Sequence, residues 1–262
     1  MKNKHTLIIG GTRGTGRALV KAFRAASHTV SVIGRRPPPE SDRGVKGVRY
    51  WAVDLVNQKR LSKMLREIVS EGGQLSSLVF CQRYRGQDDS WMGDFQTSLS
   101  ATKQVIETLA DAFDDAGDRA IVVLGSIASR FIAGEQPASY HVMKAGLTQM
   151  VRYYAVALGR KGIRVNCVSP SSISKEESRH FYLQNPELLE LYRRITPLGR
   201  MGTAEEIANV VEFLCSAKAS FITGQDLVVD GGLSLQGHES MARGLVSLNH
   251  LPVTQITPTK RK

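Results

Sequence analysis

The 262 residues carry 42% hydrophobic and 23% charged side chains, an ordinary balance for one large soluble α/β domain with a substantial core. No apolar run reaches the roughly 18 residues of a membrane span, and the polar opening Met1–Thr6 lacks the apolar core of a secretory signal, so a cytoplasmic location is expected. Cys81, Cys167 and Cys215 form no CxxC pair, and the six scattered His residues make no metal-binding pattern, which argues against a disulfide framework and a metal site. The charge of +11 is spread along the chain apart from a Lys260-Arg261-Lys262 tail; with no nucleic-acid-binding pattern beside it, an anionic cofactor and a solvated surface are the expected reasons.

In chain order, Leu7–Gly10 reads as a buried strand, followed by a Gly-rich turn and a helix over Arg17–Ala26. Thr29–Gly34 is a second strand, ended by Arg35-Arg36 and the breaker Pro37-Pro38-Pro39. Val48–Val53 is a third strand, Gln58–Ser70 an amphipathic helix, Leu78–Cys81 a fourth strand and Phe95–Ala112 a long helix. Ala120–Leu124, a helix over Ser139–Leu158 and Arg164–Val168 come next. A polar, helix-prone stretch over Ser174–Arg194, a helix over Ala204–Leu214 and the strand Asp226–Val229 close the series. Apolar strands without alternation, each followed by a helix, predict a Rossmann-like doubly wound parallel sheet of about seven strands in an α/β/α sandwich. Residues 1–262 are expected to form a single domain, with 235–262 as a C-terminal extension that either covers a neighbouring pocket or is a loose terminus.

The first strand runs into Gly10-Gly11-Thr12-Arg13-Gly14-Thr15-Gly16. Glycines there allow a sharp turn and bring backbone N–H groups close to a phosphate at a helix N-terminus. The end of the second strand selects the cofactor. A carboxylate at that point would bind the ribose 2′-OH of NAD. This chain has Arg35 and Arg36 instead, with Arg13 in reach, and guanidinium forks suit a 2′-phosphate. NADP(H) is the expected cofactor.

Gly10-x-x-x-Gly14-x-Gly16, Asp54, Ser126, Tyr140-x-x-x-Lys144, Asn166-Cys-Val-Ser-Pro170, Pro197-Leu-Gly-Arg200, Thr223-Gly224 and Asp230-Gly231-Gly232 follow one another along the chain. This ordered set resembles the short-chain dehydrogenase/reductase family, and among its members the 3-oxoacyl-carrier-protein reductases. Residues four apart share a helix face, so Lys144 is expected beside Tyr140, where its ammonium favours the phenolate. The resemblance implies Tyr140 as general acid/base, Lys144 as its tuner and ribose anchor, and Ser126 as donor to the substrate oxygen. It also implies Asp54 and Leu55 near the adenine and Cys81 on the adenosine side, with Pro170, Ser171 and Ile173 near the carboxamide. Asn166 reads as a turn-stabilising amide or a functional one.

Several positions depart from the family. Phe80-Cys81-Gln82-Arg83 replaces Asn-Asn-Ala-Gly, Ser98 stands at the catalytic Asn, Ser171 replaces a Gly and Lys175 a Thr. The interval from Ser126 to Tyr140 is one residue longer than usual. Two accounts follow. One is an active reductase whose Arg83, Arg85 and Lys175 hold an anionic carbonyl substrate, small or carrier-bound; the other is an NADP(H)-binding regulator or scaffold with weak turnover. A nucleic-acid binder has only the charge in its favour. The resemblance further implies a homotetramer or homodimer.

Overall fold

The computed structural model of the protein describes residues 4–86, 90–115 and 117–246. The strands are β1 (His5–Ile9), β2 (Thr29–Gly34), β3 (Val48–Ala52), β4 (Ser77–Phe80), β5 (Arg119–Leu124), β6 (Ile163–Pro170), β7 (Ile173–Ser174), β8 (Gly202–Thr203) and β9 (Asp226–Val229). Seven of them form a sheet in the order β3-β2-β1-β4-β5-β6-β9, with parallel pairing throughout. The short strands β7 and β8 pair separately. Every residue of β1 and β4 is buried, as expected for central strands covered on both faces.

The helices are α1 (Gly14–Ala25), α2 (Gln58–Gly72), α3 (Ser90–Asp94), α4 (Ala101–Leu109), α5 (Ala138–Gly159), α6 (Arg179–Gln184), α7 (Pro186–Ile195), α8 (Ala204–Cys215) and α9 (His238–Leu245). Alternation along the strands divides the core in two. Leu7, Ile9, Leu78 and Phe80 pack towards α2, α4 and α5, against Leu61, Leu65, Val105, Leu147 and Val151. Ile8, Val32, Val79 and Val122 pack on the other face against Leu19 and Phe23 of α1 and Ile207 and Val211 of α8. Each such fully buried aliphatic side chain contributes roughly 1.5–3 kcal/mol.

Local chemistry explains where the elements stop. Asn57 Oδ1 accepts from Arg60 N at the start of α2, and Gly73 ends that helix at φ +80°. Thr203 and Glu206 form a reciprocal capping box at the start of α8 (3.2 and 2.9 Å), while Arg200 grips the Glu206 carboxylate and holds its pKa down at about 2. Two histidines, His5 in β1 and His28 just before β2, are buried, and among the described residues neither is paired with an acid. His5 bonds Gly73 O and Ser31 Oγ, and His28 bonds Thr6 Oγ1. Burial lowers the pKa of both, to about 4 for His28, where the charge of Lys4 adds to the effect.

The expected sheet and its flanking helices are present, with one helix that starts earlier than expected. The helix expected to start at Phe95 begins at Ser90 and passes through a π-helical turn over Phe95–Ser100 before continuing as α4. The helix-prone stretch Ser174–Arg194 carries α6 and α7, which Asn185-Pro186 separates, with Pro186 opening α7. The extension beyond Leu235 contains α9; its remainder, residues 247–262, lies outside the described residues, as does the basic tail at 260–262.

Candidate functional site

The strand order reverses beside β1, which pairs with β2 on one side and β4 on the other. Chains leaving β1 and β4 therefore diverge and open a crevice at their C-terminal ends. Gly10 (φ +87°) and Gly14 (φ +51°) carry the turn from β1 into α1. A Cβ on Gly16 would stand 2.2 Å from Gly10 O, and one on Gly10 would stand 2.8 Å from Gln82 N, so both positions exclude any side chain.

The crevice has two lobes, each of about 370 Å³. Arg13, Cys81, Gln82, Arg83 and Arg85 border both. One lobe is lined by Gly10, Thr12, Arg35, Arg36, Asp54 and Leu55. Asp54 also shapes the turn after β3, accepting from Val56 N at 3.1 Å. The other lobe begins at Gly14, Thr15 and Gly16 and contains Ser126, Tyr140, Lys144, Pro170, Ser171 and Ile173. All the residues expected to form the site thus line one continuous crevice. Cys81 is a thiol whose pKa burial pushes up to about 12, so it is an inert wall of the crevice.

Ser126 caps a 3-10 turn (Ile127–Ser129), where its Oγ accepts from Ala128 N at 3.1 Å; the hydroxyl hydrogen is left available to the lobe. Lys144 is 7% exposed, and its Nζ donates to Leu124 O at the end of β5 (2.6 Å). That bond uses one of the three ammonium donors. The Tyr140 ring lies between two cations: the Arg83 guanidinium carbon is 4.6 Å from its centroid and Lys144 Nζ 5.7 Å. Arg83 is fixed there by Gln136, whose Oε1 accepts from Nη2 at 2.5 Å. The loop that presents Gln136 is held in turn by His141, whose Nε2 accepts from Ala133 N and whose Nδ1–H donates to Pro137 O.

Five basic side chains (Arg13, Arg83, Arg85, Lys144 and Lys175) line the second lobe against two acids, Glu135 and Glu177. Among the described residues Arg85 and Lys175 have no ion-pair partner. Burial lowers the Lys175 pKa, and the charges of Arg85 and Arg83 lower it further. Ser98 is buried in the π-helical turn, and it is the neighbouring Thr97 that reaches the first lobe. Gln82 joins the end of β4 to that turn, donating to Thr102 Oγ1 (2.8 Å) and Thr97 O (3.4 Å). Asn166 is fully buried away from the crevice; it donates to Ile222 O (2.8 Å) and accepts from Gln225 N (3.1 Å). Its role is structural. Gln82, Gln136 and Glu177 were not among the expected site residues; Gln82 lies in the stretch that replaces the family's Asn-Asn-Ala-Gly, and no local pattern marks the other two.

A family model described as enoyl-(acyl carrier protein) reductase matches residues 10–234, nearly the whole described chain. The chain belongs to the short-chain dehydrogenase/reductase family. It is similar to isoepoxydon dehydrogenase patN of Penicillium expansum, with 29% identity over 247 residues covering 89% of this chain and 95% of that protein. It is also similar to the 3-oxoacyl-[acyl-carrier-protein] reductase FabG of Escherichia coli, 28% identical over 88% of this chain and 98% of FabG. Among solved structures, a short-chain dehydrogenase from Leptospira borgpetersenii with bound NAD+ superposes with a TM-score of 0.76 at 26% identity, covering 89% of this chain and 94% of that one. No helix among the described residues is long and apolar enough to cross a membrane.

Proposed function

We propose that this short-chain dehydrogenase/reductase interconverts a carbonyl and a secondary alcohol with NADP(H), using Tyr140 as the general acid/base. The observation that carries the reading is the grouping of Ser126, Tyr140 and Lys144 at the far end of a crevice that starts at the Gly10–Gly16 turn. The turn fits a dinucleotide: side chains are excluded at Gly10 and Gly16, and the Gly14 N–H already donates to an anionic oxygen, that of Glu177 (2.8 Å). Gly14, Thr15 and Gly16 would hold the pyrophosphate. Asp54 and Leu55 would flank the adenosine, and Pro170, Ser171 and Ile173 the carboxamide end. Arg35 and Arg36, with Arg13, would receive the 2′-phosphate.

When bound, the cofactor supplies the hydride. Ser126 donates its free hydroxyl hydrogen to the substrate oxygen and steadies the charge that grows there. Tyr140 Oη gives its proton to the same oxygen during reduction and takes it back during oxidation. Lys144, anchored on Leu124 O, keeps its remaining donors for the ribose and its charge beside the phenol. The excess of basic side chains around Tyr140 favours a substrate with a negative group near its carbonyl. A 3-oxoacyl thioester on a carrier, as named for FabG, and a secondary-metabolite ketone are the two classes in view.

One observation favours a second reading, a cofactor-binding protein with little turnover: Ser98 replaces the family's Asn, and Arg83 lies against the face of Tyr140. Binding and turnover separate the two. Titration with NADPH and NADH should show tighter NADPH binding, by about 10–100-fold, from the charge-assisted bonds to the 2′-phosphate. Replacing Arg35 and Arg36 by Ala should erase that margin, and a native preference for NADH would refute the cofactor assignment. The exposed face of α5 carries Val142, Tyr153 (65% exposed) and Val156 (84%), at spacings that put them on one stripe. This supports a homodimer or homotetramer, which sedimentation velocity would test.

A further inference from the structure

The N-terminus of α1 is capped from a distance. Its N-cap residue, Arg13, makes no side-chain cap, and its first turn contains no acid. Instead the carboxylate of Glu177 accepts from Gly14 N at 2.8 Å, across 163 residues of sequence. The neighbouring Glu176 accepts from Arg17 Nη1 at 2.5 Å. Arg17 is itself fixed by two bonds to Asp42, of 2.6 and 2.8 Å. The stem of Lys175 packs so closely that a Cβ on Gly14 would stand 3.2 Å from its Cδ. Ser178 closes the turn by accepting from Lys175 N at 3.1 Å. Three consecutive residues, Lys175, Glu176 and Glu177, thus clasp the first turn of α1, and two of them, Lys175 and Glu177, also line the lobe that holds Ser126 and Tyr140.

A backbone N–H has one hydrogen to give. The oxygen that takes it at Gly14 is a carboxylate where the proposed function puts a phosphate oxygen, so the two anions exclude one another. We propose that Glu177 competes with the dinucleotide for this anion seat, and that the Lys175–Ser178 turn thereby sets cofactor affinity. The inference rests on the dinucleotide reading of the Gly-rich turn. Both carboxylates lie at the solvent edge, with the Glu176 side chain 67% exposed, so the clasp is weak enough to yield to a pyrophosphate.

Fluorescence titration of the full chain with NADPH and with NADH tests this, using the native protein, Glu177→Gln, Glu177→Ala and Glu176→Gln. Glu177→Ala should lower Kd for both nucleotides about five- to tenfold. Glu177→Gln, which keeps an acceptor but loses the charge, should fall between Ala and native, and Glu176→Gln should give a smaller gain. The ratio of NADPH to NADH affinity should not change, because the pyrophosphate is common to both. Circular dichroism would confirm that each variant keeps the native fold. Equal or weaker nucleotide binding by Glu177→Ala would overturn the competition and leave the dinucleotide reading standing. Absence of binding to either nucleotide in every form would sink that reading, and this inference with it.

Discussion

Asn166 provides a quantitative test of how β6 is locked to the turn that leads into β9. Its amide donates to Ile222 O and accepts from Gln225 N, in a position with no solvent access. The same turn is tied to β6 by Gly224 N to Val165 O (2.7 Å) and Cys167 N to Gln225 O (2.7 Å), so it has little freedom to find new partners. Asn166→Ala removes two part-buried hydrogen bonds, each worth about 0.5–1.5 kcal/mol, and leaves a small cavity in the buried strand. We expect a loss of about 2–4 kcal/mol. For a chain of this size that corresponds to a fall of roughly 4–7 °C in melting temperature. Urea denaturation with linear extrapolation, alongside thermal melting, measures it. NADPH affinity below the transition should be unchanged, since the residue lies outside the crevice. A loss under about 1 kcal/mol, or a variant of native stability that no longer binds NADPH, would refute the structural role.

Gly16→Ala places a methyl group 2.2 Å from Gly10 O, a backbone atom that cannot rotate away. The phosphate-binding turn must open, and NADPH affinity should fall more than about tenfold; an unchanged Kd would contradict the packing described for the turn. Acid should destabilise the protein through its buried histidines. The folded pKa of His28, about 4, lies below its unfolded value of 6.5, so the unfolded chain binds the extra proton between those limits. Stability contributed by the neutral ring is present above pH 6.5 and is lost as pH falls towards 4. Allowing for the ring's partial access to solvent, the loss is about 2 kcal/mol. His28→Gln should flatten that part of a stability–pH profile measured in urea, and an unaltered profile would exclude His28 as its source.

The sheet was legible because its strands are short, uninterrupted apolar runs, which burial on both faces demands. β2 and β9 match their expected bounds residue for residue. Gly10, Gly14 and Gly16 were legible because close backbone approach permits no other residue type. Tyr140 and Lys144 were picked out by the ordered motif series, and helical spacing then put them on one face. The second cation on Tyr140 was not legible: Arg83 arrives from the end of β4, and its position depends on Gln136, 53 residues further along the chain. The 163-residue link between Gly14 and Glu177 was hidden for the same reason. Local propensity carries no information about which distant loop caps a helix. The π-helical turn at Ser98 was also unmarked, since no residue type in Phe95–Ser100 distinguishes it from an α-helical turn. Asn166 was ambiguous in the sequence, and only its two bonds to the 222–225 turn decide its role.

In the proposed reaction Tyr140 delivers the proton during hydride transfer. The most direct test is NADPH oxidation over a panel of ketones and 3-oxoacyl thioesters, comparing the native protein with Tyr140→Phe at matched cofactor occupancy. The variant loses only the phenolic O–H and keeps the ring between Arg83 and Lys144. The account predicts a fall in kcat of about 100-fold or more, the usual range for loss of a positioned general acid, with Kd for NADPH held to within about threefold. Equal kcat in the two proteins would contradict it.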